Sequence, residues 1–170
     1  MYDLLFQNVS IIDGTGAPAF NGSVAVKDGK ICMNPAGEAN EVIDGTGLAL
    51  CPGFIDAHSH NDSLFANKDS QLSKTNQGIT TELCGHCGDT RYPFPTDPEK
   101  RALMAQRYGW QHADFTSLET YLRWAEAQPK TTNFAIYIGH SAIRISTMGF
   151  ENRKPTAEEL ETMKAKVREA

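Results

Sequence analysis

The sequence holds no apolar run near the roughly 20 residues needed to cross a bilayer. Its start, Met1-Tyr2-Asp3, has neither the positive charge nor the apolar core of a secretory signal. Together these absences argue against a membrane protein and leave the cytoplasm as the default compartment. Positive charge is also scarce: 16 Lys and Arg stand against 21 Asp and Glu, for a net charge of -5. A protein that grips nucleic-acid phosphates carries a basic patch, and no Lys/Arg run is present, so no nucleic-acid partner is expected. Cysteine is limited to four residues. In a reducing compartment these read as thiols or metal ligands before disulfides. What remains is ordinary: 40% apolar and 22% charged residues over 170 positions. That composition excludes a disordered tail, a collagen-like repeat and a coiled coil, and the length allows one or two small domains.

The chain changes character near residue 53. Before it, short apolar or β-branched runs alternate with turns: Leu4-Leu5-Phe6, Val9 to Ile12, Val24-Ala25-Val26, Lys30-Ile31-Cys32 and Glu41-Val42-Ile43. Asp13-Gly14, Asp28-Gly29 and Asp44-Gly45 punctuate them. Asp-Gly between apolar runs is a hairpin signal, because glycine takes positive φ without steric cost. This half is expected to form a small antiparallel sheet or half-sandwich. Asp-Gly-Thr-Gly occurs twice, at 13–16 and 44–47, within different flanks, which predicts two similar turns and no repeat architecture.

After residue 53, strand and helix patterns alternate. Phe54 to Ala57, Ile79 to Cys84 and Asn133 to Ile138 read as strands. Helices are expected over 70–77, with Ser70 as N-cap and Gly78 as the stop, and over 98–108, with Pro98 at the first helical position. Ser117 caps a third helix, with Leu118, Tyr121, Leu122 and Ala125 on one face. Thr156-Ala157-Glu158-Glu159 is a capping box for the last helix. Such alternation implies βαβ units and a parallel sheet.

Three clusters could carry chemistry. In Asp56-Ala57-His58-Ser59-His60, two imidazoles two residues apart point to one side of an extended chain. Neutral imidazole is the commonest metal-binding side chain, so the pair is half of a divalent site; the bland reading is two solvated polar residues at a strand end. Cys84-Gly85-His86-Cys87 has four readings. A redox pair needs a helix N-terminus to depress the thiol pKa, and Pro93 and Pro95 block a helix there. A zinc ribbon needs a second close Cys pair, which Cys32 and Cys51 do not make. A single ligand, Cys87, would stand past the second strand and beside the two histidines. Buried apolar cysteine suits Cys84, Cys32 and Cys51. In Gly139-His140-Ser141-Ala142-Ile143-Arg144, His140 and Arg144 sit where barrel loops build active sites, or else serve only packing and surface charge. Gly14-Thr15-Gly16-Ala17-Pro18-Ala19 fits a loose dinucleotide pattern, but Pro18 and Gly22 do not continue the helix it demands.

These residues resemble a known family. Cys51 to His60 resembles the first barrel strand of the metal-dependent amidohydrolase superfamily, and the turn-rich half before it resembles that superfamily's N-terminal β-sandwich segment. Gly78 to Gly88 resembles the second-strand signature of the N-acyl-D-amino-acid deacylases, or D-aminoacylases. In that branch the Cys of an Asn-Cys-Gly string ligates zinc; it matches Cys87, with His86 in the place of Asn. Ile138 to Arg144 is similar to the branch's third-strand Gly-His segment.

The resemblance implies an α/β protein. A β-sandwich segment would span 1–53, and about three βα units of an incomplete (β/α)8 TIM-like barrel would span 54–170. A closed barrel takes about 250 residues. The resemblance also implies zinc held by Cys87, with His58 and His60 at a second metal position, and His140 and Arg144 near substrate. The substrate would be a small N-acyl-D-amino acid, hydrolysed by metal-activated water. The family's general base lies on later strands, so no catalytic base is assigned here. The chain then reads as the N-terminal portion of a longer protein, inactive alone, with the remaining part of the barrel as its partner. Other readings stand beside this one. A cyclic amidase of the hydantoinase or dihydroorotase kind shares His-x-His, with the Cys87 string against it. A non-catalytic assembly module and a thiol oxidoreductase using Cys84 and Cys87 come from other classes.

Overall fold

The computed structural model describes residues 1–63, 68–108, 115 and 117–170. Its two units, Met1–Pro52 and Gly53–Ala170, differ in how their strands pair.

In the first unit β1 (Tyr2–Ile11), β2 (Phe20–Lys27), β3 (Lys30–Met33), β4 (Ala39–Asp44) and β5 (Ala49–Leu50) form one sheet. The order is β3-β2-β1-β4, with β5 also on β1. Asp28 and Gly29 both have positive φ, 51° and 71°. A two-residue hairpin whose twist matches its strands needs that backbone, so β2 and β3 pair antiparallel from Lys27↔Lys30 outward. β1 and β2 are antiparallel too, with an irregularity between Phe6 and Val9 where Asn8, at φ 58°, takes up a bulge.

β4 and β5 depart from the expected antiparallel sheet: both run parallel to β1. The cause is the turn Asp44-Gly45-Thr46-Gly47. Asp44 Oδ1 accepts hydrogen bonds from Thr46 N (3.2 Å), Thr46 Oγ1 (2.8 Å) and Asn8 Nδ2 (3.0 Å). Gly45 N donates to Gln7 O at 2.8 Å. A Cβ on Gly45 would lie 2.2 Å from Val9 Cγ1, so a larger residue could not approach β1 this way. The turn therefore jogs along β1 instead of reversing, and β5 continues the direction of β4. Asp13 closes a matching turn, accepting from Thr15 N (3.0 Å) and Thr15 Oγ1 (2.7 Å). Val9, Ile11 and Val24 form the small core, with Phe6 and Leu50 against it.

The second unit is built on a parallel sheet, β6 (Phe54–Asp56), β7 (Ile79–Cys84) and β8 (Asn133–Ile136), in that order. α1 (Lys68–Thr75) joins β6 to β7. It starts two residues before the expected helix, so Ser70 lies inside it and does not cap it. It also ends at Thr75, two residues short of the expected helix, and Gly78, at φ 79°, closes the turn that follows, donating its N–H to Thr75 O at 2.9 Å. Between β7 and β8 come a tight turn (His86–Gly88), α2 (Pro98–Tyr108) and α3 (Leu118–Ala127). Asp97 Oδ1 accepts from Lys100 N at 2.9 Å, satisfying a donor that the first turn leaves open. Ser117 caps α3 in a box with Thr120.

α3 buries Tyr121 and Ala125, with Leu118 and Trp124 packed against the same core. Leu122, expected on that face, is 45% exposed. α4 (His140–Met148) was not expected from the sequence: it follows β8 after three residues and ends at Gly149, φ 70°. α5 (Ala157–Glu169) opens with the expected Thr156/Glu159 capping box. The core gathers Tyr92, Phe94, Met104, Phe115, Tyr121, Ala142 and Ile145, joined by Phe134 and Ile136 of β8. No described helix is long and apolar enough to cross a membrane.

Candidate metal centre

Strand ends set this site. β6 stops at Asp56, whose Oδ1 accepts from His58 N at 3.1 Å and whose Oδ2 accepts from Lys74 Nζ of α1. The Lys74 hydrogen bond, reinforced by His58 N, holds the Asp56 carboxyl below the usual carboxylate range. Ser59 N then donates to Leu83 O of β7 at 2.9 Å, so the backbone after β6 stays tied to its neighbour. Ser59 is buried, whereas His58 and His60 on either side of it are exposed.

Cys87 arrives from β7 through a tight turn. Gly85 (φ 82°) and Gly88 (φ 81°) flank it, and Cys87 itself takes φ 57°. A Cβ on Gly85 would lie 2.2 Å from Tyr137 O, and one on Gly88 would lie 2.6 Å from Ser141 Oγ. Glycine is thus required at both places, and the turn packs against the start of α4. Left-handed backbone in a non-glycine residue costs roughly 1–2 kcal/mol, so packing around the turn must hold it.

The turn brings Cys87 Sγ to 3.4 Å from His58 Nε2. His58, His60 and Cys87 each offer one ligand atom, and these atoms all lie within 4.8 Å of one another. Zinc with Zn–S of about 2.3 Å and Zn–N of about 2.0–2.1 Å places sulfur and nitrogen roughly 3.5 Å apart across a tetrahedral angle. The donor chemistry and the His58–Cys87 spacing therefore fit a divalent zinc. All three side chains are exposed, which leaves room for further ligands.

His140 and Arg144 are not in this group. His140 is the exposed first residue of α4. Arg144 Nη2 donates to Glu151 O (2.8 Å) and Arg153 O (2.7 Å), fastening the loop after α4. Among the cysteines, all four are free; Cys84 is buried as expected, but Cys51 is exposed and Cys32 only half-buried. Burial pushes the Cys84 thiol up to about 12, with the nearby Asp62 charge acting in the same direction. A redox pair needs a depressed thiol pKa; at Cys84 the shift runs the other way. The helix after the cysteines also starts only at Pro98.

Other groups at the site were not singled out by sequence. The His86 ring stacks on His58, centroids 4.1 Å apart and planes 17° from parallel, and meets Tyr137 edge-on. Its Nε2 is buried without a hydrogen-bond partner among the described residues. Asp62 is buried beyond the histidines, and burial pushes its carboxyl up to about 6 despite the opposing charge of Arg91. Glu82, in β7, accepts from Ser59, Asn61 and Thr132. A glutamate inside the β-branched run Ile79-Thr80-Thr81-Glu82-Leu83-Cys84 was the one available signal, because a charge in a buried strand has to be paired or hydrogen-bonded.

The family model described as "Amidohydrolase family" matches residues 41–170. An N-acyl-D-aspartate deacylase of Alcaligenes xylosoxydans xylosoxydans is 34% identical over 173 residues, covering 99% of this chain and 34% of that protein. The crystal structure of N-acyl-D-glutamate deacylase from Bordetella bronchiseptica, complexed with zinc and a phosphonate mimic of the tetrahedral intermediate, superposes with a TM-score of 0.80 at 33% identity. It is covered to 35% by 97% of this chain. A D-aminoacylase structure gives a TM-score of 0.81 at 29% identity, with 99% and 36% covered. The chain thus spans about a third of the length of the relatives it matches.

Proposed function

The chain belongs to the amidohydrolase family, and from that premise we propose that it is part of a zinc-dependent amide hydrolase that removes the acyl group from N-acyl-D-amino acids. In this reading residues 1–53 are a β-sandwich segment and residues 54–170 the first βα units of a (β/α)8 barrel. The observation that carries the proposal is the meeting of His58, His60 and Cys87 at the ends of two adjacent parallel strands. That is the end of a parallel barrel where active sites form.

The residues take these roles. Cys87, as thiolate, and the His58 and His60 imidazoles hold the metal. When bound, zinc supplies Lewis acidity, polarising an amide carbonyl and lowering the pKa of a water toward about 7. Gly85 and Gly88 keep the Cys87 turn in the conformation that aims its sulfur at His58. His140, exposed beside that turn, is placed in substrate contact. Arg144 is left out of substrate binding, since its guanidinium serves the 151–153 loop. A general base is assigned to no residue of this stretch; we place it in the part of the barrel that lies beyond this stretch in the relatives.

The alternative of a cyclic amidase shares the two histidines, and the cysteine in the cluster favours the deacylase. Two measurements test the proposal. Zinc content is compared between the purified chain and the double variant His58→Ala, Cys87→Ser; the chain should retain zinc that the variant loses, and equal content would refute the site. Release of free amino acid from N-acetyl-D-methionine is then followed. The 170-residue chain should bind zinc without turnover, and zinc-dependent turnover by it would refute the placing of the base.

A further inference from the structure

Ser59, between the two histidines, is the anchored residue of the His-Ser-His segment. Its Oγ donates to Glu82 Oε2 at 2.6 Å and accepts from Asn61 N at 3.3 Å, while its own N–H is held by Leu83 O. Asn61 Nδ2 donates to the same Glu82 oxygen at 2.8 Å. The other oxygen, Oε1, accepts from Thr132 Oγ1 just before β8, at 2.8 Å. Lys74 Nζ, bonded to Asp56, lies 3.7 Å from Glu82 Oε2. The Glu82 side chain is 0% exposed. One carboxylate thus ties the segment after β6 to β7 and to the approach to β8.

A buried carboxylate is a poor choice for stability alone. Its desolvation is costly, and well-packed apolar residues often match or better a buried ion pair. What the carboxylate supplies is direction. Past the end of β6 burial alternates: Ser59 is buried, and His58 and His60 on either side of it are exposed. Drawing Ser59 inward therefore turns both neighbouring imidazoles outward, toward Cys87. We infer that Glu82 is a positioning residue for the metal-binding histidines and acts through Ser59. The inference rests on the reading of His58, His60 and Cys87 as ligands.

Cobalt(II) is the probe, since its visible absorption reports ligand number and geometry. It is titrated into the purified chain and into Glu82→Gln, Ser59→Ala, the double variant and His58→Ala, with circular dichroism establishing that each is folded at the temperature used. Partners that orient metal ligands typically contribute about 10–100-fold in affinity. We expect a loss of that size in Glu82→Gln, a similar loss in Ser59→Ala, no further loss in the double variant, and a changed cobalt spectrum in all three. A folded Glu82→Gln or Ser59→Ala with wild-type affinity and spectrum overturns the inference, as do losses that add in the double variant. A Glu82→Gln that lowers only the melting temperature shows a structural role and overturns it too. If Glu82→Gln does not fold, Ser59→Ala, which removes the link together with the weaker bond from Asn61 N, decides. His58→Ala separates the two claims. If it binds cobalt as tightly as the unaltered chain, the metal site itself falls. If binding depends on His58 but not on Glu82 or Ser59, only the positioning role falls.

Discussion

In residues 1–52 the aspartates that organise the backbone are in water: Asp13 and Asp44 each close a turn by accepting from a threonine two residues on, and both are exposed. In residues 53–170 Glu82 and Asp62 are buried, and Glu82 joins three segments far apart in sequence. The cores differ in the same sense. Among the described residues, three buried ones anchor the first unit's cluster, with Ile31 72% exposed on its sheet, and eight make the second's, including Met104 at 0%. A solvated carboxylate shapes a turn with little desolvation cost, and Asp44 adds to its turn one exposed bond from Asn8 of β1. A buried carboxylate is tolerable only where every oxygen finds a donor, and here it lies directly behind the segment that carries His58 and His60. Acidic residues of similar composition therefore do different work in the two units, and burial separates them.

That contrast can be broken by three pairs of measurements, the largest effect first. Glu82→Ala orphans three donors and opens a cavity, and should cost about 3–5 kcal/mol in urea unfolding. Asp13→Ala, which opens an exposed turn, should cost far less than Glu82→Ala. Equal losses would mean that burial of the carboxylate is not what matters. Met104→Ala should cost about 2–5 kcal/mol through the cavity it leaves, while Ile31→Ala should stay within about 0.5 kcal/mol. A large loss at Ile31 would show that this side chain is covered in solution.

The smallest effect concerns thiols. Iodoacetamide at pH 8 should label Cys51 and spare Cys84 in the native protein. The Cys84 thiol titrates higher in the folded chain, about 12, than the roughly 8.5 of an unfolded one. Its contribution to stability is therefore complete below pH 8.5 and declines as pH rises toward 12, by at most about 1.4 kcal/mol per pH unit. Cys84→Ala should flatten the fall in stability between pH 8.5 and 10; an unchanged slope would contradict the burial account.

Local signals were legible and distant ones were not. The β-branched run Ile79 to Cys84 marks β7 to the residue, and Asp28-Gly29 marks the β2–β3 hairpin. Asp44-Gly45 looks the same in sequence yet makes no hairpin, because the bulge at Asn8 and the close pass of Gly45 over Val9 decide its course. α4 was hidden by its β-branched composition: Ile143, Ile145 and Thr147 weaken helix propensity, and packing of Ala142 and Ile145 into the core supplies what propensity does not. His58 and His60 could be paired by reading because they are neighbours, and Cys87 could be added because parallel strands place like ends together. The Ser59–Glu82 bond spans 23 residues, and no local pattern announces it.

The most direct test of the central claim is X-ray absorption at the zinc edge on the chain loaded with one equivalent of zinc. One sulfur at about 2.3 Å with nitrogen or oxygen neighbours at about 2.0–2.1 Å, the sulfur lost in Cys87→Ser, is the predicted result. A first shell of nitrogen and oxygen alone in the unaltered chain would contradict it.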